Sequence, residues 1–139
     1  MNRILLGILK RALSCSGVSG GNGQAELRLP LFNLLPKEAA PHLHFVDNAM
    51  RLLPGVNSAE VSPSEGLLRV SYEPELWTPA ELRQWYDALL STGLEYAAST
   101  DISRMTPDQA AGELSQQMEQ RLPGFLASIG RGADGRRLS

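Results

Sequence analysis

The chain has one cysteine, Cys15, in 139 residues. A single thiol excludes an internal disulfide framework and any zinc site built on several cysteines. It reads as an incidental thiol in a flexible segment, with lipidation or metal coordination as sharper alternatives. No apolar run reaches the ~18 residues that a bilayer span needs. Charge of one sign is lacking as well: 13 Lys and Arg face 15 Asp and Glu, for a net charge of −2. That balance supplies neither a basic footprint for nucleic acid nor an acidic block for a solvated tail. Aromatic residues are only 6% of the chain. Of these, only Tyr72 falls where a base could stack on a central strand, which argues against RNA binding. Catalytic constellations are missing too. No nucleophile-elbow motif places a serine. Gly20–Gly21–Asn22–Gly23 opens no helix with Lys-Ser or Lys-Thr, as a phosphate loop would. Glu81 and Asp87 read as a capping group and a solvated face rather than an acid/base pair. No nucleophile, base and orienting group occur together, so the expectation is a binding role and not an enzyme.

What is present suits one domain with extensions: 42% apolar and 20% charged residues over this length, close to ordinary globular usage. Met1–Asn2–Arg3 followed by Ile4–Leu9 resembles a short signal segment. Lys10 and Arg11 interrupt it after six apolar or small residues, where a signal needs about 7–15. Ala12–Leu13–Ser14–Cys15 is only a loose echo of a lipoprotein box. The expectation is therefore a cytoplasmic protein that can sit peripherally on a membrane. Ile4, Leu5, Ile8, Leu9, Ala12 and Leu13 recur at helical spacing, with Lys10 and Arg11 largely off the stripe. Residues 1–15 thus read as a basic amphipathic helix. Leu5, Leu9, Leu13, Lys10 and Arg11 are its candidate contacts with a membrane surface or a protein groove. Packing on its own domain is the plain alternative. Residues 16–24, SGVSGGNGQ, read as a Gly/Ser linker.

Residues 25–98 carry the folded unit. Ala25–Phe32 alternates as a first strand, with Pro30 near its end. Leu43, Val46, Met50 and Leu53 recur at helical spacing, and Pro54–Gly55 stops that helix. Ala59 and Val61 mark a second strand. Leu68, Val70 and Tyr72 mark a third, joined to it by the Pro63–Gly66 turn. Thr78–Pro79–Ala80–Glu81 opens a second helix with a capping box and proline in its first turn. Leu82, Trp85, Leu89 and Leu90 form the inner face of that helix, and Gly93 is expected to end it. Leu94–Ala98 reads as a closing strand. The order β-α-β-β-α-β is that of a ferredoxin-like α+β sandwich. Thr106–Gln109 is a second capping box. It opens a helical extension within residues 99–130, which Pro123–Gly124 is expected to break. Residues 131–139, rich in Gly and Arg, read as a disordered tail.

Ala49–Met50–Arg51–Leu52–Leu53–Pro54–Gly55–Val56, Ala59–Glu60–Val61 and Leu68–Arg69–Val70–Ser71–Tyr72–Glu73–Pro74 fall in an order that resembles the heavy-metal-associated domain family. Thr78–Leu90 and Gly93–Ala98 resemble that family's second helix and closing strand. About half of the chain is covered. The resemblance implies a ferredoxin-like fold and a role in metal transport or homeostasis. Metal-carrying members bind soft ions through a C-x-x-C before the first helix, where two thiolates are stabilised by the helix dipole. Here those positions fall on Ala39 and His42, so the thiolate pair is lost. His42 and His44 remain as candidate ligands for a divalent transition ion such as Zn(II), Cu(II) or Ni(II), with Glu38 or Asp47 as a third group. Solvated histidines at a helix start are the plain alternative, since two ligands without a third make a weak site. Two functions stay open: a metal-handling module with a degenerate site, and an interaction module that keeps the fold without the metal. In the second, the terminal helices dock a protein or a membrane.

Overall fold

The alternation of buried and exposed residues along four short segments builds one antiparallel sheet. The computed structural model describes residues 3–35, 44–99 and 106–137. Helix α1 spans Arg3–Leu13, strand β1 Gly17–Gly21 and strand β2 Gln24–Arg28; a 3-10 turn occupies Phe32–Leu34. Helix α2 is His44–Met50, strand β3 Val56–Ser62, strand β4 Leu67–Tyr72, helix α3 Pro79–Ser99 and helix α4 Pro107–Ser128. The strand order is β1-β2-β4-β3, antiparallel throughout. Ala25 and Leu27 of β2 and Leu68, Val70 and Tyr72 of β4 turn inward and are buried. Their alternates turn outward, as a period of two requires. On that open face Arg69 bridges Glu26 and Glu65, a water-facing charge cluster.

The expected class, α+β with a single antiparallel sheet, holds. The expected element order does not. Residues 16–24, read as a linker, form β1 and the turn into β2. Asn22 (φ 54°) and Gly23 (φ 90°) both adopt left-handed backbone, as a two-residue type I′ hairpin demands. A Cβ at Gly20 would stand 2.2 Å from the Gln24 carbonyl oxygen, so Gly20 is required by close strand approach and not by looseness. Leu94–Ala98, read as a closing strand, is helical. The stripe Leu82, Trp85, Tyr86, Leu89, Thr92 and Tyr96 is buried without interruption. Packing along that stripe carries the helix through Gly93, whose own cost is only ~1 kcal/mol against alanine. The buried Thr92 hydroxyl donates to the Ala88 carbonyl at 2.9 Å, so no polar group is orphaned there.

Both tryptophans donate to carbonyls at or just after the end of α2. Trp85 Nε1 reaches the Ala49 oxygen at 2.8 Å, and Trp77 Nε1 reaches the Pro54 oxygen at 2.7 Å. These two bonds tie the end of α2 and the Pro54–Gly55 turn to Trp85 of α3 and to Trp77 just before it, and the Ala49 carbonyl also accepts from the Leu52 N–H. The capping boxes at Thr78/Glu81 and Thr106/Gln109 form as expected.

Helix α4 does not break at Pro123–Gly124. Proline inside a helix costs about 3 kcal/mol. Burial of Leu126 offsets about 1.5–3 kcal/mol of that. The Phe125 ring adds its packing on Trp85, centroids 4.9 Å apart, a geometry worth about 0.5–1.5 kcal/mol beyond area. The helix ends instead at Gly130 (φ 74°). There Arg131 N–H donates to the Leu126 carbonyl and Gly130 N–H to the Ala127 carbonyl, which is a Schellman cap.

Residues 131–137, expected to be disordered, fold back. Arg131 and Arg137 bridge, and Gly132 N–H donates to Arg136. The physical reason is Arg131, which brings its own buried partner, described next.

Candidate interaction faces

Two terminal segments are folded onto the sheet-and-helix body, and they are held by different chemistry. At the C-terminal end, the Arg131 side chain is 3% exposed. Its Nη2 donates to both Glu81 carboxylate oxygens at 2.7 and 2.8 Å, and its Nη1 donates to the Gly135 carbonyl at 2.7 Å. The guanidinium lies 4.3 Å from the Trp77 ring centroid, a cation–π stack. Glu81 also accepts from the Thr78 backbone N–H. Burial acts to raise the Glu81 carboxyl, but the Arg131 hydrogen bonds, the Thr78 N–H and the Arg131 charge outweigh it. The group therefore sits below the ordinary carboxylate range. Every donor and acceptor in this clamp has a protein partner, so it is structural in character. An open cleft of about 550 Å3 beside it is lined by Glu73, Glu75, Leu76, Arg131, Arg136 and Arg137, where opposite charges offset one another.

At the N-terminal end, α1 packs on α3 and on the Phe32–Leu34 turn. Ala12 is fully buried, and Leu13 packs against the core cluster. Two α3 side chains hold the last turn of α1 and the residues after it. Tyr86 donates its hydroxyl to the Leu13 carbonyl at 2.5 Å, and Arg83 donates to the Cys15 carbonyl at 3.0 Å. The Leu13 carbonyl is among those a helix C-terminus leaves open. Burial, followed by the nearby Cys15 and Asp87, drives the Tyr86 phenol well above its usual value. The hydroxyl stays a committed donor.

The residues expected to make contacts divide accordingly. Lys10 and Arg11 are exposed. Leu9 and Leu13 are half-buried, and Leu13 packs against the chain's own core. Leu5 lies on α1, with its side chain outside the described set. The sequence missed the other half of this face. Leu31 falls within the stretch Ala25–Phe32 expected to be a strand, but β2 ends at Arg28 and the chain turns at Pro30. Leu31 is 44% exposed, Leu34 45% and Ile4 78%. These are the three large apolar residues standing exposed among the described residues, and all three fall on α1 or beside the turn that packs against it. Charge is segregated the same way. Residues 1–37 hold five basic residues and one acidic residue; the remainder hold eight and fourteen. Lys10, Arg11 and Arg28 make no ion pair among the described residues. A charge count by segment would have found this asymmetry; the net value of −2 conceals it.

His42, Ala39 and Glu38 lie outside the described residues. His44 opens α2, and its side chain also lies outside the described set. Among the described residues no group of three His, Cys, Asp or Glu side chains is placed to hold a metal ion. No helix among them is long and apolar enough to cross a membrane.

Fold and faces together define a small α+β domain with a clamped C-terminal turn and an apolar, basic N-terminal face. No protein-family model, no curated protein and no solved structure matches the chain.

Proposed function

We propose that this chain is a non-enzymatic interaction module that works through the face made by α1 and the Phe32–Leu34 turn. The observation that carries the reading is that the three large apolar residues exposed among the described residues all fall on α1 or at the turn packed against it, within the segment of excess positive charge. Scattered apolar residues need no explanation, whereas their collection beside unpaired cations marks a binding surface. The groups with perturbed protonation favour binding over catalysis. Glu81 is committed to Arg131 and to capping α3, Tyr86 to the Leu13 carbonyl, Tyr96 to Glu113, Arg69 to Glu26 and Glu65, and Asp87 to Arg83. None is poised toward a substrate.

The scaffold beneath this face reads as a ferredoxin-like sandwich with a displaced strand. In the β-α-β-β-α-β order a closing strand lies beside the first and antiparallel to it. Supporting the reading, β1 occupies that place beside β2, entering from the N-terminal side of the chain. The heavy-metal-associated resemblance belongs to this proposal as scaffold ancestry.

The test is proximity labelling by the full chain in the cells that make it, wild type beside an Ile4→Glu/Lys10→Glu/Arg11→Glu variant at equal protein level. The reading expects the labelled set to lose members in the variant. An unchanged set would mean that the face carries no function.

A further inference from the structure

We infer that the α1 and Phe32–Leu34 face docks on an anionic lipid surface. The inference rests on the interaction-module reading and names the partner. Its first support is the composition of the face. Ile4, Leu31 and Leu34 present aliphatic groups to solvent. Lys10 and Arg11 stand exposed with them, and no acidic residue occurs in residues 1–25 or 27–37. Aliphatic side chains interleaved with long basic stems match the boundary between acyl chains and anionic headgroups. Each Lys or Arg near such a surface adds attraction, and no acidic group in this stretch other than Glu26 opposes it. Glu26 itself is engaged by Arg69.

The second support is what the face lacks. A protein interface carries about one hydrogen bond per 100–200 Å2 and matched polar groups around an apolar centre. Here, apart from the cations, Ser14, Ser16 and Asn33 are the polar side chains that α1, the residues just after it and the 3-10 turn offer, and Ser14 is already bonded to the Lys10 carbonyl. Such a face cannot read a specific polar pattern. A fluid surface that moulds itself around protruding side chains asks for none.

The third support is how α1 is held. Its C-terminal end is fixed to α3 through Leu13 and Cys15, while Ile4 in its first turn is the most exposed large apolar side chain. The helix is therefore anchored at one end and presents apolar surface at the other. A single apolar insertion gives only marginal membrane affinity, and a basic patch beside it supplies the second signal.

The experiment is co-sedimentation of the full-length chain with vesicles of phosphatidylcholine alone and of phosphatidylcholine with about 30% phosphatidylserine, a composition that gives the surface a negative potential. The wild-type chain is expected to pellet with the anionic vesicles and stay in solution with the neutral ones. Raising the salt from ~0.05 to ~0.5 M should lower the bound fraction at least ~fivefold, because the interaction is screened. Lys10→Glu/Arg11→Glu should weaken binding at least ~tenfold, since it replaces two attractions with two repulsions. Ile4→Glu/Leu34→Glu should weaken it similarly, at an unchanged melting temperature. Equal binding to both vesicle types, or none to the anionic ones, overturns the lipid assignment. Should that occur while the proximity-labelled set still depends on Ile4, Lys10 and Arg11, the face serves a protein and the module reading survives. Loss of both dependences removes the module reading as well.

Discussion

The two ends of the chain are both folded onto the same body, yet they are built on opposite principles. The C-terminal turn inserts one buried cation between a carboxylate and an indole, and it leaves nothing unsatisfied. The N-terminal face is fastened by a few hydrogen bonds at one end, and it leaves leucine, isoleucine, lysine and arginine side chains to solvent. A polar cluster that satisfies itself stabilises a fold. An apolar and basic surface that does not satisfy itself is available to something else. Residue type alone does not separate the cases, since both ends are rich in arginine and glycine; burial and partnership do.

The largest expected effect breaks the C-terminal side. Arg131→Ala or Glu81→Ala strands a buried charge and should cost about 3–5 kcal/mol, read by denaturant unfolding. A cost under ~1 kcal/mol would place the pair with exposed ion pairs of no consequence. Tyr86→Phe comes next. It removes the donor to the Leu13 carbonyl and should cost about 1 kcal/mol. Amide exchange in α1 should speed while that in α4 stays as it was. The pH dependence sharpens the clamp further. Because the folded Glu81 carboxyl lies below its ordinary range, its stabilisation is present above the unfolded value of ~4.3 and is lost as pH falls through the folded value. The melting temperature should therefore drop on acidification below about pH 4.3, and the Glu81→Gln variant should show a shallower drop. Ile4→Glu with Leu34→Glu should move stability by no more than about 0.5 kcal/mol, because neither side chain is buried. A loss of several kcal/mol would make the N-terminal face structural and dissolve the contrast. The smallest expected effect concerns His42 and His44. Isothermal titration with Zn(II), Cu(II) or Ni(II) should give no heat of binding at micromolar concentrations. Heat that disappears in His42→Ala/His44→Ala would establish the histidine site instead.

Much of the scaffold is legible from local pattern. Alternation at Ala25–Leu29 and Leu68–Tyr72, the stop at Pro54–Gly55 and both capping boxes are short-range signals whose physics is complete within a few residues. The misread elements all needed longer-range information. Asn22–Gly23 is a strong hairpin signal, but it lay in a glycine-rich stretch whose strand character comes mainly from pairing with β2. Gly93 and Pro123 are local breakers that packing overrides, through Tyr96 and through Phe125 on Trp85. The tail is ordered by Arg131 meeting Glu81, fifty positions away in sequence, a pairing that no periodicity announces. The candidate face was half legible. The basic amphipathic helix follows from spacing. Leu31 and Leu34 join it only because Pro30 turns the chain out of the sheet, which moves an apparent core residue to the surface.

On this proposal the N-terminal face is spare to the fold and given over to an anionic lipid surface. The most direct test is a paired measurement on Ile4→Glu/Leu34→Glu in the full chain: melting temperature beside co-sedimentation with phosphatidylserine-containing vesicles. The melting temperature should equal that of the wild type, with vesicle binding reduced at least ~tenfold, as expected when charges replace the inserted apolar groups. Wild-type vesicle binding in a variant of unchanged melting temperature would contradict it.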